Sequence, residues 1–132
     1  MKHGTITIKN STQEMIQISI ELSEDGTVWM SIDEISSLFN SYHSTVQTNI
    51  RALIKSNKPM GNIGMKEEYY FLNNKQKCVA VYFNLDVIIA LSYRIDNYVC
   101  ILFRQWITQQ VIISLKSRYL TTDRLEMKAN LN

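Results

Sequence analysis

At Ser31 the spacing of apolar residues switches from every second position to a helical repeat, and a chain that makes this switch must build both strands and helices. Before it, Ile16, Ile18, Ile20 and Leu22 alternate with Gln17, Ser19, Glu21 and Ser23, which predicts a strand with one buried face. Glu24-Asp25-Gly26 supplies a positive-φ turn, so Thr27-Val28-Trp29-Met30 is expected to return alongside that strand. Ile6 and Ile8 suggest a further short strand. After the switch, Ser31 and Glu34 have capping-box spacing, and Asp33 and Glu34 sit where the helix dipole favours acids. Ile32, Ile35, Leu38 and Phe39 share one face of this helix. Asn40-Ser41-Tyr42 forms a short polar break, and Val46, Ile50, Leu53 and Ile54 form the inner face of a second helix. Asn57-Lys58-Pro59 ends it, because a residue before proline is pushed out of the helical region.

Beyond that point, 59–64 reads as a loop holding the only proline and two of the four glycines. Tyr69-Tyr70-Phe71-Leu72, the turn Asn73-Asn74-Lys75 and Val79 to Phe83 predict a second hairpin over about 67–83. Asn84 caps a helix carrying Leu85, Ile88, Ile89 and Tyr93, with Asp86 in its first turn. A longer helix follows from about Tyr98 to Leu115, apolar through Leu102, Phe103, Trp106, Ile107, Val111 and Ile113. A helix so apolar is either central to the core or shared with a second subunit, so Val99 to Leu115 is a candidate homodimer surface. The tail after Tyr119 is polar and expected to fray. The whole predicts an α+β fold, one winged helix-turn-helix-like domain over 1–132 with two β-hairpins and a long C-terminal helix. Its helix-turn-helix spans about 31–57 and its C-terminal helices about 84–118.

Chemistry is scarce in this pattern. No Gly-rich phosphate loop, His-Glu-x-x-His helix or Gly-x-Ser-x-Gly elbow occurs, so no enzyme is expected. His3 and His43 lie far apart with no cysteine near either, so neither a metal nor another cofactor is expected. Glu67 and Glu68 are adjacent on a strand and point to opposite faces, which prevents them from acting together as acid and base. Cys78 and Cys100 are too few for a disulfide framework and read as small buried hydrophobes in a reduced compartment. The apolar run at 99–111 is broken by Arg104-Gln105 and Gln109-Gln110, short of the ~20 residues a membrane span needs. A soluble, cytoplasmic protein is expected.

Charge is unevenly distributed. The net charge of +2 conceals −4 over the first 34 residues and +4 over 35–66, where there is no acid at all; 97–122 is also acid-free, with Arg104, Lys116 and Arg118. A basic segment that coincides with a helix-turn-helix is what phosphate binding needs. With its apolar side inward, the second helix presents Ser44, Gln47, Thr48, Arg51 and Lys55, with His43 and Asn49 on its margins and Lys58 in the following loop. Gln and Asn can pair bidentately with adenine and Arg with guanine, while Ser, Thr and Lys grip the backbone. His43, Ser44, Gln47, Thr48, Arg51, Lys55 and Lys58 are therefore the candidate contacts to double-stranded DNA. Two alternatives stay open: an ordinary solvated helix, and a protein-interaction or dimerisation module of winged-helix shape without a DNA role. Arg94 can pair with Asp86 or Asp96 or reach a phosphate. Tyr42 can contact a phosphate or cover the core, and Trp106 reads as buried beside a partly exposed Arg104.

Several blocks carry a family likeness. Val28-Trp29-Met30-Ser31, the helix from Ile32 to Phe39, Ser44-Thr45-Val46, Ile50, Tyr82-Phe83-Asn84-Leu85-Asp86-Val87-Ile88-Ile89, Tyr93-Arg94-Ile95 and Phe103-Arg104-Gln105-Trp106 together resemble the RhuM-type virulence-protein family. The likeness runs from about Thr27 to Leu125. Phe103-Arg104-x-Trp106 is also similar to the motif that closes the N-terminal DNA-binding domain of Bro-type phage antirepressors. The resemblance implies a DNA-binding, transcription-regulating or virulence-associated role and supplies no enzymatic activity. This chain departs from the family by being less basic at Thr48-Asn49 and at 97–102, and by lacking a glycine near Ser92.

Overall fold

The computed structural model describes residues 2–10, 16–56, 64–73 and 75–130, and the side chains of Asn10 and of 120–130 lie outside that description. Two strands open the chain, β1 (Thr5–Asn10) and β2 (Ile16–Glu21), paired antiparallel with Ile6 opposite Ile20 and Ile8 opposite Ile18. The alternation thus sets four isoleucines on one face, where they pack against the core. Gly4, at φ +71°, starts this hairpin; a Cβ there would lie 2.6 Å from the Glu21 carbonyl oxygen, so no larger residue fits.

The returning arm expected after Asp25-Gly26 does not pair with β2. The turn is present, with Gly26 at φ 78° and the Ser23 N–H and hydroxyl both donating to the Thr27 carbonyl. Asp25 accepts from the Ser23 hydroxyl and from the Trp29 indole, and these bonds hold its carboxyl below the usual range. The chain then leaves β2, and Met30 exchanges backbone hydrogen bonds of 2.9 and 2.8 Å with Phe83. A period of two defines which face of a strand is buried but not which strand lies beside it, and β1 holds that edge.

Helix α1 (Ile32–Phe39) starts with the expected capping box: the Glu34 N–H donates to Ser31 Oγ and the Ser31 N–H to Glu34 Oε1. It stops at Asn40, whose φ of 50° turns the chain sharply into α2 (His43–Ser56). Ile35, Phe39, Val46, Ile50 and Leu53 are buried as the periodicity predicts, whereas Ile54 is exposed because it falls on the flank of the helix. Strands β3 (Met65–Phe71) and β4 (Lys77–Phe83) form the second hairpin, slightly longer than expected, in register from Met65 opposite Phe83 to Phe71 opposite Lys77. The two-residue overlap between Met30 and Phe83 ties this hairpin to the start of α1.

Asn84 caps α3 (Leu85–Arg94) by accepting from the Val87 N–H at 3.1 Å. Val87, Ile88 and Leu91 are buried; Tyr93, expected on the inner face, is exposed. Helix α4 (Tyr98–Asn130) begins at Asn97, whose side chain accepts from the Cys100 N–H and donates to the Phe39 carbonyl, joining the starts and ends of two helices. Phe103 meets Phe39 edge to face, with ring centroids 5.3 Å apart.

Two expectations about α4 need correction. It is a core helix only as far as Ile107, since every residue of 108–119 is exposed, Val111 and Ile113 included. It also continues as a helix past Tyr119 to Asn130 rather than fraying there. The architecture is therefore α+β, with four helices and two separate two-stranded sheets around one apolar cluster among the described residues. Among the described residues no helix is long and apolar enough to cross a membrane.

Candidate nucleic-acid interface

Helix α2 has 14 residues, contains no acid, and owes its orientation to three buried side chains, Val46, Ile50 and Leu53. At about 100° per residue, that inner face places Ser44, Thr48, Arg51 and Lys55 on the opposite side. All four are exposed, while Gln47 is half-buried on one flank. Arg51 and Lys55 lie one turn apart, and among the described residues neither is in an ion pair. Lys58 lies outside the described residues.

The start of α2 is different. His43 Nδ1 lies 2.8 Å from Asp33 Oδ1, so α1 brings a carboxylate to the N-terminal turn of α2 and engages the imidazole. Tyr42, in the turn, does not cover the core: its side chain is 82% exposed and its carbonyl receives the Val46 N–H. The open cationic surface therefore begins at Ser44 and grows toward Lys55.

One basic residue joins this face from elsewhere in the chain. Arg94, in the last turn of α3, donates from Nε to Asn49 Oδ1 at 3.3 Å, and Asn49 in turn donates to the Thr45 carbonyl. Among the described residues it pairs with neither Asp86 nor Asp96. The exposed Arg94 is thus placed at the flank of α2 that carries Asn49, a placement no spacing rule could give because 45 residues separate Arg94 from Asn49. Arg104, by contrast, is committed to structure: it donates to the Ser92 carbonyl and lies 5.9 Å from the Tyr93 ring, which ties α4 to α3. Trp106 beside it is half-buried.

The second hairpin has two unlike ends. Near its base, Glu68 accepts from His3 at 3.1 Å and pairs with Lys66 at 3.4 Å, and Lys66 lies 4.4 Å from the Trp29 ring centroid. The hydrogen bond from His3 is the chief cause that keeps the Glu68 carboxyl below its usual range. Glu67, on the other face, accepts from the Tyr69 hydroxyl, so the two acids are separated as the strand geometry requires. Toward its tip the hairpin exposes Tyr69, Tyr70, Phe71 and Leu72, with Lys77 stacked 4.5 Å over the Tyr69 ring. Sequence reasoning did not mark this tip, although four consecutive large residues without alternation are a sign that neither face is fully covered.

Cys100 is buried and desolvation pushes its thiol up to about 11, so it remains neutral; Cys78 is half-buried, less than expected. Among the described residues no group of three or more His, Cys, Asp or Glu side chains is placed to hold a metal ion. No family model, curated protein or solved structure matches the chain.

Proposed function

We propose that the protein is a double-stranded-DNA-binding domain of the winged helix-turn-helix kind, with α2 as the helix that enters the major groove. The observation that carries this reading is the outer face of α2, with Ser44, Thr48, Arg51 and Lys55 exposed on a helix without acids and the exposed Arg94 bonded to Asn49 at its flank. Arg51 suits a guanine edge, Gln47 an adenine edge from the flank, and Ser44, Thr48, Lys55 and Arg94 the phosphates on either side. His43, held by Asp33, and Lys58, which follows α2 in the sequence, complete the contact set.

The resemblance to RhuM-type proteins and to Bro-type antirepressor domains supports the same reading, that of a bacterial or phage-derived transcription regulator or virulence-associated protein acting in the cytoplasm. On this view the chain needs no cofactor and performs no reaction of its own. Affinity for duplex DNA measured against salt concentration tests it. The protein should bind at low salt, and replacing Arg51 and Lys55 with alanine should lower the magnitude of the log–log salt slope by about 2. No binding at low salt, or binding untouched by those changes, refutes it.

A second reading, an interaction module that keeps this shape without a DNA role, is favoured by the exposed apolar residues on α4 and at the tip of the second hairpin. Arg51→Ala with Lys55→Ala separates the two, since an interaction module has no reason to lose duplex affinity.

A further inference from the structure

Helix α4 is 33 residues long, about 50 Å, and among its described side chains only those of the first turns rest on its own chain. Ile107 is the last residue packed against the core, and the positions that continue the core-facing side, Gln110 and Ser114, are polar and exposed. The exposed apolar residues of 108–119 are Val111, Ile112, Ile113, Leu115 and Tyr119, and among them the row Val111, Leu115 and Tyr119 turns about 40° away from the core side with each step of four residues. Lys116 and Arg118 flank this row, within the acid-free stretch 97–122. The result is an exposed apolar row with basic neighbours that its own core does not use.

A surface of opposite character lies at the other end of the sequence. Between the first hairpin and α1 is an open groove of about 550 Å³, with Ile6, Ile8, Met30 and Leu38 along it and Asp33 and Glu34 at its edge. It belongs to the segment whose net charge is −4. An apolar trough with an acidic rim is the shape and charge that a helix with an exposed apolar row and basic neighbours fits.

We propose that the occupant of this groove is residues 108–119 of α4 from a second copy of this chain, the two copies exchanging helices about a twofold axis. Val111, Leu115 and Tyr119 enter the trough, and Lys116 and Arg118 face Asp33 and Glu34. Residues 108–119 do not occupy the groove of their own chain, since every one of them is exposed and none lines it. In a twofold pair each groove–helix contact forms twice, so a modest site counts double toward the roughly 1,600 Å² typical of a specific interface. The proposal moves the dimer surface from the expected 99–115, half of which is core, to 108–119 and its acidic receptor. It does not depend on DNA binding.

Charge exchange tests it by light scattering and sedimentation equilibrium on the full chain. Wild type should be a dimer that weakens with salt. Asp33→Lys with Glu34→Lys, and Lys116→Glu with Arg118→Glu in a separate variant, should each be monomeric because the rim and the helix then carry like charge. Mixing the two variants should restore a dimer containing one of each, since both groove–helix contacts are then complementary again. A monomeric wild type, variants that stay dimeric, or a mixture that stays monomeric overturns the proposal; dimeric variants that Leu115→Glu dissociates would show α4 pairing with α4 instead. Far-ultraviolet circular dichroism checks that each variant is folded, and should one fail, Asp33→Asn and Lys116→Gln must each weaken the dimer at least threefold for the proposal to stand.

Discussion

Asn97 is a single side chain on which two helices depend, and its replacement offers a sharp test of how α4 is tied to the end of α1. Its Oδ1 accepts the Cys100 N–H at 2.8 Å, capping α4, while its Nδ2 donates to the Phe39 carbonyl at 2.9 Å, at the last residue of α1. Asn97→Ala removes both bonds. Losing the cap costs about 1 kcal/mol, and leaving a half-enclosed carbonyl without its donor costs about 1–2 kcal/mol more. Asn97→Asp keeps an acceptor for the Cys100 N–H and gains slightly from the helix dipole, but it sets a carboxylate oxygen against the Phe39 carbonyl. The expected order of stability is wild type, then Asp, then Ala, with the alanine variant about 2–3 kcal/mol below wild type by the same two effects. Urea unfolding at constant m value measures it, since a shift of the midpoint alone reports stability. If alanine falls within about 0.5 kcal/mol of wild type, the typical range for a surface change, the two bonds do not tie the helices together. If aspartate equals wild type, the bond to Phe39 contributes nothing.

Two further outcomes follow from the titratable groups. Because hydrogen bonding by His3 depresses the Glu68 carboxyl, its contribution is present above the ordinary glutamate range and is lost as pH falls through the lower folded value, so Glu68→Gln should flatten the acid limb of the stability–pH curve below about 4.5; an unchanged limb refutes this. Cys100, buried and with a thiol raised to about 11, should resist iodoacetamide in the native state and react on unfolding, while Cys78 reacts first; equal native rates at pH 8 would contradict the packing.

Local chemistry was the legible part of this sequence. Ser31 with Glu34 and Asn84 before Leu85 identified two helix starts, because a capping side chain and its target N–H lie within three residues. The inner face of α2 was equally readable, since Val46, Ile50 and Leu53 follow one turn after another. Long-range choices were not. The partner of β2 depended on whether β1 or 27–30 reached its edge first, and alternation is the same in either case. Apolar residues at the flanks, Ile54 and Tyr93, illustrate that burial is required of a core but not of every hydrophobic side chain. Asn97 carried a capping signal that went unread before a helix already marked by its apolar content. Arg94 carried none, because its position over α2 is a property of how α3 packs.

A near-zero total charge argues only against indiscriminate adhesion to a polyanion, and its separation into segments has consequences that the total hides. The first 34 residues carry −4, and one of their acids, Asp33, reaches His43 at the head of α2. Phosphates approaching α2 from that end meet a carboxylate, whereas Arg51, Lys55 and Arg94 meet none among the described residues. A duplex would therefore be held toward the C-terminal half of α2. The same rim of acids attracts the basic row of α4, a surface separate from α2. Asp33→Asn should consequently act in opposite directions on the two proposed associations, strengthening duplex binding by removing a repulsive charge while weakening the dimer by removing an attractive one. Opposite signs from one substitution, read by duplex titration and by sedimentation, would be hard to obtain from a general loss of folding, which weakens both.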